Sequence, residues 1–200
     1  MQKTPAVETL VQSVWSLVGS NKLPGVGDDA VSIFSLDQNY ANGLIPINQL
    51  VSQSLRFIST AIRSGYYKPL FSSRETISAL VQGVVVPNVA LREHDVEQFE
   101  DDPLEFIRLD LAVSATGTDL ATRRQAAADV LQALVGSGYE AEATEIVNSW
   151  ISTGLREYAS DKENNWKAKD SAIYLLTAVA TRGSTSQVTL FLFASPCRSS

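Results

Sequence analysis

The amino-acid sequence predicts an all-α protein built of paired, antiparallel amphipathic helices. Apolar residues recur at three- and four-residue steps through most of the chain, which places them on one face of a helix. Short polar or glycine-containing turns separate these segments, and the long helices come in twos. This pattern is typical of an α-solenoid of HEAT-like helix pairs, whose units run to about 40 residues. A helical bundle is the alternative.

The first half of the chain contains three predicted helices. Thr4 is a suitable N-cap before Pro5, which begins a helix that runs to Val18. The helical period returns at Leu50 and ends at Gly65. An aromatic connector then leads to a third helix, capped by Ser72 or Ser73. Pro87 should push the residue before it out of helical geometry.

The second half contains one short helix and three long ones. The short helix is predicted from Pro103 to Leu111, with Asp102 as its cap. A long helix begins at Thr118 or Asp119 and ends at Val135, before two glycines. Two more cover residues 139–159 and 166–181. Across all helices, the periods place on buried faces, among others, Leu10, Val11, Val51, Leu55, Ile58, Ile62, Phe106, Ile107, Leu131, Trp150, Leu155 and Ile173.

Composition excludes several classes of protein. The chain is 44 % hydrophobic and 19 % charged, as expected for a packed domain rather than a disordered one. Its pI of about 4.8 argues against general nucleic-acid binding. No apolar run approaches the roughly 20 residues that a membrane span needs. Cys197 is the single cysteine, which excludes a disulfide framework and fits a reducing compartment.

Acidic residues are concentrated in one window. Seven carboxylates lie between Glu93 and Glu105 with no Lys or Arg among them, whereas the rest of the chain has 15 acids against 16 bases. Such a block is either a solvated loop or a surface for a basic partner. Arg123, Arg124, Lys167 and Lys169 lie on neighbouring predicted helices, where they would either contact a partner or pair with the acids.

Catalytic chemistry has little support in the sequence. His94 is the only histidine and lies in the acidic window, where a solvated side chain is expected. Cys197 has no basic or histidine neighbour that would activate a nucleophile. The acids lack the ligand spacing and central glycine of a calcium loop. A hydrolase that uses two of the carboxylates is a third interpretation, but no pair stands out. We therefore expect no enzyme, no cofactor, no catalytic residue and no metal site.

Three segments together resemble a known family. They are Phe99-Glu-Asp-Asp-Pro-Leu-Glu-Phe-Ile-Arg-Leu-Asp-Leu111, Asp119-Leu-Ala-Thr-Arg-Arg-Gln-Ala-Ala127 and Asn165-Trp-Lys-Ala-Lys-Asp-Ser-Ala-Ile-Tyr-Leu-Leu-Thr-Ala178. Gly65-Tyr-Tyr-Lys-Pro-Leu-Phe71 and Val85-Val-Pro-Asn88 fit in the same order. The combination is similar to the CAS-type exportins, which are karyopherins of the importin-β superfamily and return importin-α to the cytoplasm.

The resemblance implies a function for the chain. It would be a segment from the middle of a longer HEAT-repeat superhelix that binds importin-α together with Ran in its GTP form. The whole receptor would contact nuclear pore proteins and shuttle between nucleus and cytoplasm, with no nucleic-acid binding and no membrane insertion. A standalone helical scaffold or adaptor that has lost transport is the alternative function.

The resemblance also implies domain limits and contact residues. Residues 1–187 would be the central HEAT-repeat segment, and 188–200 an aberrant tail. Residues 31–49 would be a loop foreign to the family, which we hypothesise to be a translated intron. The helices starting near Leu50, Asp119 and Trp166 would line the concave side, and residues 92–118 would be an insertion within a repeat. The implied partner-binding residues are Glu100, Asp101, Asp102, Arg123, Arg124, Lys167 and Lys169. Asp170 is a further candidate.

Overall fold

The computed structural model describes residues 5–19, 47–111 and 122–180, and every regular element in these ranges is helical. The predicted all-α class is confirmed. The helices are α1 (Pro5–Gly19), α2 (Ile47–Ser64), α3 (Lys68–Phe71), α4 (Arg74–Leu80), α5 (Val86–Val89), α6 (Glu93–Asp101), α7 (Pro103–Leu111), α8 (Arg123–Leu134), α9 (Glu140–Ser160) and α10 (Trp166–Ala180). A π-helical turn, Val81–Val85, joins α4 to α5, and Val135–Tyr139 joins α8 to α9.

The long helices form two layers. In one layer, α2 packs on α8 and α8 packs on α10. In the other, α1 contacts the π-helical turn after α4, and α4 contacts α9. Across the layers, α1 pairs with α2, α5 with α8, and α9 with α10. Three helix pairs are therefore stacked side by side, and the layer of α2, α8 and α10 contains the helices expected on the concave side.

Apolar side chains from both layers form one core. The predicted inward residues of α2, namely Val51, Leu55, Ile58 and Ile62, are all at most 2 % exposed. Phe71 is also buried, and its ring stacks on Trp15 of α1 with a centroid separation of 6.3 Å. The aromatic connector is thus packed between helices.

Some predicted buried positions are wrong, and most of them lie on the two end pairs. Leu10 of α1 is 49 % exposed, Trp150 and Leu155 of α9 are 39 % and 37 % exposed, and Ile173 of α10 is 48 % exposed. The face of α10 that enters the core runs through Ala172, Leu175 and Val179 instead. An end pair has a neighbour on one side only, so part of its apolar surface stays uncovered among the described residues.

Two helix boundaries in the first half of the chain differ from the predictions. Pro87 does not interrupt the helix, and Val86 keeps helical dihedral angles, with φ −57° and ψ −49°. The π-helical turn explains this, because the N–H of Val86 bonds to the carbonyl of Val81, five residues back. The helix predicted from Leu50 already begins at Ile47, inside the predicted loop 31–49. Residues 31–46 and the tail 188–200 lie outside the described residues.

The acidic window is also different from its predicted form. Residues Glu93–Asp101 form helix α6 rather than a loop. The carboxylate of Asp95 accepts a hydrogen bond from the N–H of Arg92 at 2.8 Å, which caps the first turn. Helix α8 begins at Arg123, since Thr122 caps it by accepting from the N–H of Gln125 at 3.2 Å. The starts predicted for α8, Thr118 and Asp119, lie outside the described residues.

Helix α9 packs closely against the backbone of α10 at Gly154, and replacement of this glycine tests that contact. A methyl group at Gly154 would lie 2.8 Å from the carbonyl oxygen of Ala168. Gly154→Ala should lower the free energy of unfolding by about 1–3 kcal/mol, because the cost of overpacking is larger than the stabilisation from the higher helix propensity of alanine. Gly83→Ala is the control, since no atom lies within 4 Å of its added carbon. Urea denaturation of both variants measures the difference, and equal stability would contradict the close approach.

Candidate partner-binding site

Arg123 connects the start of α8 to the end of α5 and to α6. Its guanidinium donates to the carbonyl oxygen of Asn88 at 2.6 Å, to that of Ala90 at 2.9 Å and to the carboxylate of Asp95 at 2.7 Å. The side chain is only 5 % exposed. Carbonyls at the end of a helix lack partners within the helix and carry partial negative charge, so a cation placed there stabilises them.

Arg124 connects α8 to α5, α7 and α10. Its Nε donates to the carbonyl oxygen of Val89 at 2.8 Å, and its Nη1 donates to the carboxylate of Asp110 at 2.6 Å. Its Nη2 donates to the carboxylate of Asp170, and the guanidinium lies 4.2 Å from the ring centroid of Tyr174. The planar guanidinium can serve several acceptors at once, which an ammonium group cannot do in this geometry.

Burial changes the acid–base properties of this ionic cluster. Loss of solvent raises the pKa of Asp110 and of Asp170 above the usual range, although the charge of Arg124 opposes the shift. Burial also raises the pKa of Tyr174, so the phenol is neutral at physiological pH. Burial, reinforced by the charge of Arg92, lowers the pKa of Arg123 to about 10, and the group remains a cation at neutral pH.

Helices α6 and α7 form a small hairpin, inserted between the two helices of the second pair. Its helices contact each other, and the rings of Phe99 and Phe106 meet edge to face at 5.8 Å. No residue of α6 is buried. The hairpin is joined to the helix stack largely by polar contacts, which include Asp95 to Arg123, Asp110 to Arg124, and a hydrogen bond from Gln125 to the carbonyl of Leu109 at 2.5 Å.

The predicted acidic contact residues lie at the exposed end of this hairpin. Glu100, Asp101 and Asp102 are all exposed. Asp102 also has a structural role, because its Oδ1 accepts from the N–H of Glu105 at 3.0 Å and caps α7. Glu100 and Asp101 therefore remain the members of the acidic set whose carboxylates face solvent without a capping role.

The predicted basic contact residues fall into two groups. Arg123 and Arg124 are buried, and their guanidiniums are engaged with groups of this chain. Lys167 and Lys169 are half-buried on α10: Lys167 forms an ion pair with Glu93 of α6, and Lys169 lies 4.5 Å from the ring centroid of Tyr158. The structure thus separates exposed acids from mostly engaged bases. Partner binding by the seven residues stays a prediction.

Sequence reasoning missed Asp95 and Asp110, which position the two arginines. A signal was present, because the acidic window and Arg123-Arg124 were recognised as possible partners in an ion pair. What the sequence lacked was the docking of α6 and α7 on α8, which selects two carboxylates out of the whole set.

Within residues 5–19, 47–111 and 122–180, no three His, Cys, Asp or Glu residues are grouped so that they could hold a metal ion. No helix in the same ranges is both long and apolar enough to span a bilayer.

Stacked helix pairs with an inserted, ionically held hairpin define this chain as a helical-repeat protein. The family profile described as Cse1 matches residues 45–191. The chain belongs to the Cse1 family of exportins. This profile begins inside the segment predicted to be foreign to the family and ends beyond Gln187, so the predicted domain limits stay predictions.

Relatives and a solved structure agree with this assignment. Human Exportin-2 is 38 % identical over 136 residues, which is 68 % of this chain and 14 % of the relative. The Importin alpha re-exporter of Saccharomyces cerevisiae is 41 % identical over 134 residues, or 67 % of this chain and 13 % of that protein. A structure of the exportin Cse1 in its cargo-free, cytoplasmic state is similar over 90 % of this chain and 17 % of the other, with a TM-score of 0.70 and 33 % identity.

The chain therefore spans about 14 % of the length of the curated relatives that it matches. The resemblance to CAS-type exportins inferred from the sequence is confirmed, and so is the helical-repeat fold.

Proposed function

We propose that this chain serves as a helical-repeat segment of a nuclear export receptor that binds importin-α together with Ran in its GTP form. The observation that carries the proposal is membership of the Cse1 family, with a relative named for the re-export of importin-α at 41 % identity. The receptor would carry its cargo from nucleus to cytoplasm through contacts with nuclear pore proteins. It would act by binding and release, without catalysis.

The exposed end of the α6–α7 hairpin supports a contact role within that function. Glu100 and Asp101 lie at the end of α6, a helix in which no side chain is buried. Their exposed carboxylates can therefore contact a basic partner surface. Rim charges of this kind steer association and add modest affinity. Arg123 and Arg124 would support the contact indirectly, by holding the hairpin in place.

A capture experiment tests the proposed function. The chain is immobilised and exposed to Ran loaded with GTP or GDP, with and without importin-α. Capture of importin-α that depends on GTP-loaded Ran is the expected result. Equal retention with both nucleotides would favour the standalone scaffold that has lost transport, whereas no capture would assign export to the full-length receptor alone.

The acidic contact is tested by charge reversal. Glu100→Lys combined with Asp101→Lys should weaken capture by a factor of about 5–30, which corresponds to about 1–2 kcal/mol. The matched control reverses Glu140 and Glu163, which are equally exposed but lie on the third helix pair and its turn. The difference between the two variants should be largest at low salt, where charges are least screened. Unchanged capture by the first variant at low salt would show that the hairpin end is a solvated surface that does not contact the partner.

A further inference from the structure

A cleft of about 300 Å³ lies between the α6–α7 hairpin and the start of α10. Its apolar lining consists of Leu91, Val96, Phe99, Phe106, Ile107 and Trp166. Three of these side chains remain substantially exposed, with Phe99 at 43 %, Ile107 at 43 % and Trp166 at 42 %. A concave apolar surface of this kind, from three different helices, is suited to receive the side chain of a binding partner.

The polar side chains of the cleft already form ion pairs within the chain. Asp95, Asp110, Asp170 and Arg124 also line it, and each takes part in the ion pairs that join the hairpin or α10 to α8. A small polar molecule would find few unused hydrogen-bond donors there. An apolar anchor, by contrast, would bury Phe99 and Trp166 without disturbing those pairs.

The remaining acceptors of the cleft carry negative charge. Asp95 and Asp170 each use one carboxylate oxygen for an arginine, and their Oδ1 atoms make no hydrogen bond within the described residues. Their side chains are 20 % and 35 % exposed, so a partner can reach them. Glu97 lies on the exposed surface of the same hairpin and adds to the negative charge. The complementary occupant has cations beside its apolar anchor.

We propose that this cleft is a docking site for a short protein segment with a leucine or phenylalanine anchor flanked by lysine or arginine. The anchor enters between Phe99, Ile107 and Trp166, and the flanking cations face Asp95 and Asp170. The surface differs from the outward carboxylates of Glu100 and Asp101. The proposal depends neither on Ran nor on importin-α.

Three synthetic peptides test the docking site. One has a Leu-Phe centre flanked by lysines, the second has the same centre flanked by glutamates, and the third has lysines around a Gly-Ser centre. Each is titrated into the 200-residue chain while the indole resonance of Trp166 and the amides of α6, α7 and α10 are followed by NMR. Only the first peptide should shift these signals with saturation, and its affinity should fall as salt is added.

Two pairs of variants locate the binding. Ile107→Ser should weaken the first peptide at least tenfold, whereas Leu104→Ser on the same helix should not, because Leu104 is 82 % exposed and does not line the cleft. Phe99→Ala should also weaken binding, with Leu155→Ala as its control at similar exposure.

Four results would overturn the proposal. Equal binding of the glutamate peptide would show that the cleft does not select cations. Equal binding of the Gly-Ser peptide would show that the lysines bind by nonspecific electrostatic attraction, without an apolar anchor. No saturable binding of the first peptide would exclude the docking site. Concentration-dependent dimerisation in sedimentation, lost in Ile107→Ser, would assign the cleft to a second copy of the chain. The assay contains neither Ran nor importin-α, so its failure leaves the capture experiment unaffected.

Discussion

Replacing Arg124 with methionine should lower the free energy of unfolding by about 3–5 kcal/mol, the largest effect that we expect from a single change. Methionine retains much of the aliphatic length but removes the cation, so the largely buried Asp110 and the half-buried Asp170 lose their shared partner. Breaking a buried ion pair by removing one partner has a cost of this size, because an uncompensated charge remains. The carbonyl of Val89 and the ring of Tyr174 lose their contacts as well.

The stability of this variant should depend on pH in a defined direction. Without Arg124, the pKa of both carboxyls rises further above that of the unfolded chain, since the nearest cation that opposed the burial effect is gone. An acid with a raised pKa in the folded state contributes stability below its unfolded pKa and loses it as pH rises through the folded pKa. The deficit relative to the parent should therefore shrink as pH falls through the raised folded pKa values, and it should be smallest below about 4, where both carboxyls are protonated in the folded and in the unfolded chain.

Equilibrium urea denaturation across this pH range measures the effect, and Arg74→Met is the matched control. Arg74 also forms an ion pair with a carboxylate of another helix, Glu145, but both side chains are about 60 % exposed. Such surface pairs contribute about 0–1 kcal/mol. A loss at Arg124 no larger than at Arg74 would show that the cluster is not the buried connection that the geometry indicates.

Replacing Arg123 with methionine should produce the second largest loss in the free energy of unfolding. The helices that it destabilises should differ from those affected by loss of Arg124. Each buried acceptor left without a donor costs about 1–3 kcal/mol, and Arg123 serves the carbonyls of Pro87, Asn88 and Ala90 besides Asp95. Asp95 is partly exposed, so water compensates part of the cost. We expect a total loss of about 2–4 kcal/mol.

Hydrogen exchange distinguishes the two arginine variants. Loss of Arg123 should increase exchange mainly in α6, because Asp95 is its attachment point, whereas loss of Arg124 should affect α7 and the start of α10. Uniform acceleration in both variants would mean that the hairpin unfolds as one unit with the rest of the chain.

The sequence predicted the helix stack well because its information is local and periodic. The spacing of Val51, Leu55, Ile58 and Ile62 determined which side of α2 enters the core. The period fails where burial depends on whether a neighbour is present, as at Trp150 and Ile173 on the last pair. It also missed α6, because a helix without a buried face has no apolar period to detect.

The candidate site was predictable in composition but not in arrangement. The acids and Arg123-Arg124 were visible as opposite charges in the same part of the chain. Which of them would be buried depends on contacts between residues that are 28 and 14 positions apart, for Asp95 with Arg123 and Asp110 with Arg124. Charge patterning cannot specify such pairs, since any of the seven carboxylates of the window could pair with an arginine, and Asp110 lies outside that window.

The two consecutive arginines also have a mechanical consequence for the receptor. Arg123 and Arg124 bind the last carbonyls of the partner helix, those of Asn88, Val89 and Ala90, so a shift of one helix along the other would remove all these bonds together. These bonds therefore hold α8 and α5 in one register within the second helix pair. We expect any bending of the helix stack to occur at the junctions on either side of this pair rather than within it.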